Sequence, residues 1–167
     1  MSGKRKQLSN TSSTGHLGPH FEAHVLASYA TLMLTRGYAP CLRCWPIKEI
    51  KPQGKVDGYE TDDLIVFVQA PGANEVRKLL GQVKHGLKVG DNERFRSVMQ
   101  AAWDDFQNPK VFIKGKDIIA AISDGLSSVE ITAVQAVLDE ARNPSTKEFI
   151  RRVELGRYNN GRVTYCC

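Results

Sequence analysis

No apolar run in this 167-residue sequence approaches the ~18 residues that a membrane-spanning helix requires. The basic start Met1-Ser2-Gly3-Lys4-Arg5-Lys6 has no apolar stretch behind it and does not read as a secretory signal. Internal repeats are absent. Cysteine is too sparse for a disulfide framework, with only Cys41, Cys44 and the adjacent Cys166 and Cys167. A four-cysteine zinc site usually takes two short-spaced pairs, and vicinal cysteines serve one tetrahedral ion poorly. Reduced thiols are therefore expected, in a soluble protein of the cytoplasm. Strong basicity is lacking too. The net charge is +5, but Lys4, Arg5 and Lys6 supply much of it and leave about +2 for the rest. That balance permits nucleic-acid contact without demanding it. What remains, 41% hydrophobic and 25% charged residues, is ordinary globular composition in a chain long enough for one real core.

Residues 1–17 are polar and basic and read as a disordered tail. From Pro19 the spacing turns helical, with Phe21, Val25 and Leu32 on one side and Leu26, Tyr29 and Met33 on another. Such a helix is expected between layers and is expected to end at Gly37. Cys41 to Ile50 reads as a strand that Pro46 confines to an edge or a bulge. Leu64-Ile-Val-Phe-Val has the composition of a strand buried on both faces. A Pro71-Gly72 turn leads to another strand over Lys78–His85. A helix follows over about 92–107, then a strand over 117–123. Ser127 and Glu130 form a capping box that opens a helix, and Ser145 and Glu148 repeat it. The order predicts an α/β fold, a central mixed sheet of about four strands flanked by helices. Residues 156–167, with a turn at Asn160-Gly161, read as the start of a linker or of a further element.

Glu60-Thr61-Asp62-Asp63 crowds three carboxylates against the most apolar strand of the chain. Such crowding is costly unless the groups stay in water or meet a cation. Nineteen residues on stands Gln82-Val83-Lys84. In a strand, Gln82 and Lys84 share one face while Val83 points into the core. A lysine on an apolar strand requires an anionic partner if it is buried. Placed on neighbouring strands, Asp63, Gln82 and Lys84 would converge at one end of the sheet. Carboxylate and amide oxygens suit a hard divalent ion, and a lysine beside it can act on water and phosphate. The chemistry so assembled is metal-dependent phosphodiester hydrolysis.

With Phe21-Glu22 ahead of it, the set Glu60-Thr-Asp-Asp-Leu-Ile and Gly81-Gln-Val-Lys-His resembles the PD-(D/E)xK, restriction-endonuclease-like nuclease superfamily, in its variant with glutamine at the second acidic position. The wording is most similar to double-stranded DNA endonuclease domains at the N-termini of bacterial anti-phage proteins, the effectors of nucleotide-signalling systems and of STAND-type NTPase sensors. The resemblance covers residues 18–155, which become the nuclease domain. It implies Asp63 as main metal ligand, Gln82 at the second-ligand position, Lys84 as the catalytic lysine and Glu22 as an accessory acid and ligand, with Asp62 or Glu60 as ligand or supporting group. The implied ion is Mg²⁺, for which Mn²⁺ can substitute. Double-strand cleavage implies a homo-oligomer, at least a dimer, and the resemblance implies a sensor or NTPase domain in a longer parent protein. Two other readings stand beside it: a catalytically inactive DNA-binding or oligomerisation module on the same fold, and a repair or recombination nuclease.

His24 reads as a surface or packing residue and His85 as a polar strand-end residue. Trp45 and Trp103 read as core. Arg151, Arg152 and Arg157 give the last helix a basic face, either a DNA contact or a solvated exterior.

Overall fold

In the computed structural model the chain is described over residues 17–141, 147, 148, 150 and 151. The basic tail, most of the predicted last helix with Arg152 and Arg157, and the segment 156–167 lie outside them. The elements are α1 (Leu17–Leu34), β1 (Ile47–Pro52), a 3₁₀ turn (Gly54–Asp57), β2 (Leu64–Gln69), β3 (Val76–Lys84), α2 (Glu93–Gln107), β4 (Ile118–Ser123) and α3 (Ser128–Ala141). They fall into two compact units: the residues up to His85 with Val98–Ile122, and Gly86–Ser97 with the residues from Ser123 onward.

The first unit holds the sheet, in the order β1-β2-β3-β4, and it is α/β as the sequence predicts. β1 pairs antiparallel with β2, and β2 with β3. The β2–β3 connection is the Pro71-Gly72 hairpin, closed by Ala70 N donating to Glu75 O at 2.9 Å. β2 is covered on both faces, with Leu64, Ile65, Val66 and Val68 at most 1% exposed. Its even-numbered side chains join Leu79 and Val83 beneath Tyr29 of α1. The odd-numbered side meets Leu80, Tyr59, Val111 and Phe112, against which Phe106 of α2 packs. Helices thus flank both faces. Burying each such Leu, Ile or Val side chain contributes about 1.5–3 kcal/mol, so this alternation holds the register of β2 against slippage.

Three expectations are corrected. The strand begins at Ile47, not Cys41: Cys41 has φ 65°, and Leu42 N and Trp45 N bond locally to Ala39 O and Arg43 O, so this stretch spends its backbone groups on turns. β1 does lie at the edge, with a register shift between Ile47 and Glu49 after Pro46. Second, Met33 of α1 does not pack, at 39% exposure, whereas Phe21, Val25, Leu26, Tyr29 and Leu32 all pack against one core rather than between two layers. Third, Gly37 does not supply the left-handed residue that ends α1. Arg36 does, at φ 57°, while Arg36 N donates to Met33 O and Gly37 N to Leu32 O, a Schellman motif. Gly37 lies close to Leu32: a Cβ there would stand 2.8 Å from Leu32 Cδ2, so the leucine side chain would have to shift.

In the second unit Asn92 caps α2, its Oδ1 accepting from Phe95 N at 2.9 Å. Gly86 N donates to Asp124 Oδ1, and Leu87 N to Ser123 Oγ. The predicted capping box is present: Ser127 Oγ accepts from Glu130 N, and Ser127 N donates to Glu130 Oε2.

Candidate active site

The pairing of Leu64 with Gly81 places Asp63 across from Gln82 at the start of β2. Alternation turns Asp63, Gln82 and Lys84 to the face that α2 covers, and Val83, 2% exposed, to the α1 core. The three predicted residues meet at one atom. Asp63 Oδ2 accepts from Val83 N at 2.7 Å, from Lys84 Nζ at 2.7 Å and from Gln82 Nε2. The two charged side chains are 15% and 26% exposed, so their pair is only partly screened by water. Asp63 Oδ1 accepts no hydrogen bond among the described residues. Gln82 spends its N–H on Asp63 and keeps its carbonyl Oε1. Two oxygens, one anionic and one neutral, are therefore left for a further partner.

Glu22 is on α1, with no hydrogen bond to this trio among the described residues. Burial pushes its carboxyl above the ordinary value, the Asp63 charge pushes it further, the Lys84 ammonium partly opposes this, and Asp62 adds to the rise. Asp62 behaves likewise: burial raises its carboxyl, Asp63 raises it more, and Lys55 and Lys84 pull it back. In both groups burial is the largest cause of the rise, with the Asp63 charge next. Glu60 instead faces Lys55, at 3.9 Å.

The donor set suits a hard divalent cation in part. Such an ion needs only one or two carboxylates beside neutral oxygens and water, and Asp63 Oδ1, Gln82 Oε1 and the Asp62 and Glu22 carboxylates are of that kind. No compact group of three or more His, Cys, Asp or Glu is assembled for a metal among the described residues.

Two carboxylates missed in the sequence reading hold the scaffold, the first at this corner and the second further along β3. Asp105 of α2, 1% exposed, accepts from Glu60 N at 2.9 Å and Thr61 N at 2.7 Å, and so fixes the segment that delivers Asp62 and Asp63. Gly54 N ties the same segment down from the other side by donating to Asp62 O. Thr61 Oγ1, fully buried beside this clamp, has no hydrogen-bond partner among the described residues. Asp117, at 4% exposure, accepts from Lys78 N and Ile113 N and faces Lys78 Nζ at 3.6 Å. The available signal for Asp105 was its place seven residues after Val98, on the buried stripe of α2.

Gln82 also lines a groove of about 360 Å³ between α2 and β4, formed by Val98, Met99, Ala102, Trp103, Phe106 and Ile119–Ala121. Trp103 is 57% exposed, which corrects its assignment to the core, whereas Trp45 packs against the core under the Arg77 guanidinium. His85 follows β3 with its ring tilted against Phe21, and His24 is exposed on α1. Cys41 and Cys44 are free and exposed. Arg151 pairs with Glu148. No helix among the described residues is long and apolar enough to cross a membrane.

Comparison of the chain with protein-family models, with curated proteins and with solved structures gave no match.

Proposed function

We propose that this chain is a metal-dependent DNA endonuclease domain that hydrolyses phosphodiester bonds in double-stranded DNA. The observation that carries this reading is the meeting of Gln82, Lys84 and the Val83 backbone on one oxygen of Asp63, at an end of two paired strands. The amide and the lysine both donate to one oxygen, and the second oxygen of Asp63 is left for a further partner, which supports this reading. When bound, Mg²⁺ or Mn²⁺ would supply charge to the scissile phosphate and lower the pKa of the attacking water. Asp63 Oδ1 and Gln82 Oε1 would hold the ion with Asp62 or Glu22. Lys84, fixed by Asp63 Oδ2, carries a positive charge to the phosphate oxygens and a donor that orients water. Asp63 thereby serves two partners through two oxygens. Cutting both strands takes two such sites in opposite orientation, so the working form is at least a dimer. Within this reading the domain is the cytoplasmic effector of an anti-phage defence protein, governed by a sensor or NTPase region of a longer parent.

The test is incubation of the protein, alone and as a forced-dimer fusion, with plasmid DNA in EDTA, Mg²⁺ and Mn²⁺. Metal-dependent nicking or linearisation that Asp63→Asn abolishes is the expected result. Intact plasmid in both metals with normal DNA binding, from the forced dimer as well, would replace this reading with a DNA-binding module that does no chemistry.

A further inference from the structure

We propose that the groove beside Gln82 seats an unpaired DNA strand, with Trp103 as the platform on which a base stacks. The inference rests on the nuclease reading for its purpose, the capture of a frayed or displaced strand next to the cleavage site. Its physical basis is separate. Trp103 lies on Phe106 with ring centroids 5.8 Å apart and planes 27° apart, yet more than half of it faces solvent. A tryptophan backed by a second ring and open in front is a stiff, flat surface with little left to lose in side-chain entropy. Lys114 Nζ stands 4.1 Å from the Phe106 centroid, which brings a cation to the same cluster.

The loop after α2 adds more cations. Lys110, Lys114 and Lys116 are all exposed, and none pairs with a carboxylate among the described residues. The loop's own acid, Asp117, is turned inward onto Lys78 N and Ile113 N. Val111 and Phe112 are buried, and Asn108 O and Ile113 O each accept two backbone N–H groups, so the lysines stand on an ordered support. An apolar protein partner would have to desolvate these ammonium groups without compensation. A nucleic-acid strand satisfies both features at once: bases for the ring, phosphates for the lysines. Duplex bases are stacked on one another and cannot lie on Trp103, so the strand is unpaired.

Tryptophan emission reads this directly. Trp45→Phe leaves Trp103 as the sole reporter, and binding is measured in EDTA, where cleavage plays no part. A short oligothymidylate is expected to quench the emission, and a duplex of equal length to bind without quenching. Trp103→Ala should weaken oligothymidylate binding about 5- to 150-fold, the loss of one base stack, and Trp103→Tyr should restore most of it. Replacing Lys110, Lys114 and Lys116 by Gln should lower the slope of log affinity against log salt by about 2. Three results would overturn the proposal: no quenching by oligothymidylate; at least tenfold tighter binding of an oligouridylate, which would make RNA the ligand; or unchanged DNA binding in Trp103→Ala with a change in sedimenting mass, which would make the groove a contact between copies. Quenching without Asp63-dependent cleavage removes the nuclease reading and leaves the platform. Cleavage without quenching does the reverse.

Discussion

Lys84 Nζ stands 2.7 Å from Asp63 Oδ2, the same oxygen that holds Val83 N. The lysine is thus fixed to the carboxylate that would bind the ion, and it opposes that ion electrostatically. Both consequences can be measured.

Lys84→Ala should lower DNA cleavage by roughly 100-fold or more, the scale on which a positioned proton-transfer group or preorganised charge acts. Mn²⁺ affinity, measured calorimetrically, should become a few-fold tighter, because the neighbouring cation is gone. DNA affinity should drop only modestly, one phosphate contact among several being lost. Activity within about twofold of wild type in folded Lys84→Ala protein would mark Lys84 as a structural ion-pair partner and remove the centre of the nuclease reading.

Neutralising carboxylates should separate Asp63 from its neighbours. Carboxylate crowding alone suggests that Asp63→Asn would stabilise the metal-free protein. The structure shifts that expectation, because Asp63 already has three donors, whereas Asp62 and Glu22 have their carboxyls raised by burial and by the Asp63 charge. In EDTA, Asp62→Asn and Glu22→Gln should raise the melting temperature, while Asp63→Asn should leave it level or lower it. Stabilisation by Mg²⁺ should vanish in Asp63→Asn by mass action. If Mg²⁺ protects Asp63→Asn as well as wild type, the ion binds elsewhere.

What the sequence made legible follows from alternation and local chemistry. Five successive apolar residues marked β2 as doubly covered, and the Gln82-Val83-Lys84 period of two put the polar pair and the valine on opposite faces before any partner was known. Ser127 and Glu130 announced their cap because both halves of the box lie within one turn. The rest depended on residues distant in the chain. Asp105 meets Thr61 across 44 positions, a contact that no local pattern encodes. Trp103 is apolar and lies at helical spacing, but its covering depends on how much of the sheet reaches it, and it stays over half exposed. Cys41–Trp45 shows the opposite limit: an apolar run whose turns outweigh its strand propensity.

Glu130 gives a pH dependence of known sign. Its carboxyl is held below the ordinary value by the Ser127 backbone N–H and then by the Ser127 hydroxyl. The cap therefore stabilises α3 fully above the unfolded-state pKa, and this contribution is lost as pH falls through the lower folded value. The difference in melting temperature between wild type and Glu130→Gln should shrink as pH drops from neutral toward that value. A difference independent of pH would mean the charge adds nothing to the cap.

Thr61 carries a hydroxyl at 0% exposure that has no partner among the described residues. Thr61→Val keeps the shape and removes the buried polar atom, so it should leave stability unchanged or raise it by about 1 kcal/mol in urea titration. A loss of more than about 1 kcal/mol would show that the hydroxyl has a partner in solution, such as an ordered water.

Asp105 carries the sharpest distinction between holding the fold and holding the site. Its carboxylate takes the Glu60 and Thr61 N–H groups, so Asp105→Ala leaves two orphaned donors, the Thr61 one in a buried position. At about 1–3 kcal/mol for each buried unsatisfied group, the variant should lose about 2–4 kcal/mol. Asp105→Asn retains one acceptor and should lose roughly half as much. Stability alone would not tie Asp105 to chemistry, because any well-buried clamp behaves this way. The difference lies in what the clamp restrains, the two residues that lead into Asp62 and Asp63. Measured well below its melting temperature, where the variant is fully folded, Asp105→Asn should lower kcat by about tenfold or more with KM little changed, since a small misplacement of Asp63 disturbs the transition-state geometry more than DNA binding. Wild-type kcat in a destabilised but folded Asp105→Asn protein would confine Asp105 to the fold, and Asp63 would then owe its position to β3 and to the Gly54 bond on Asp62.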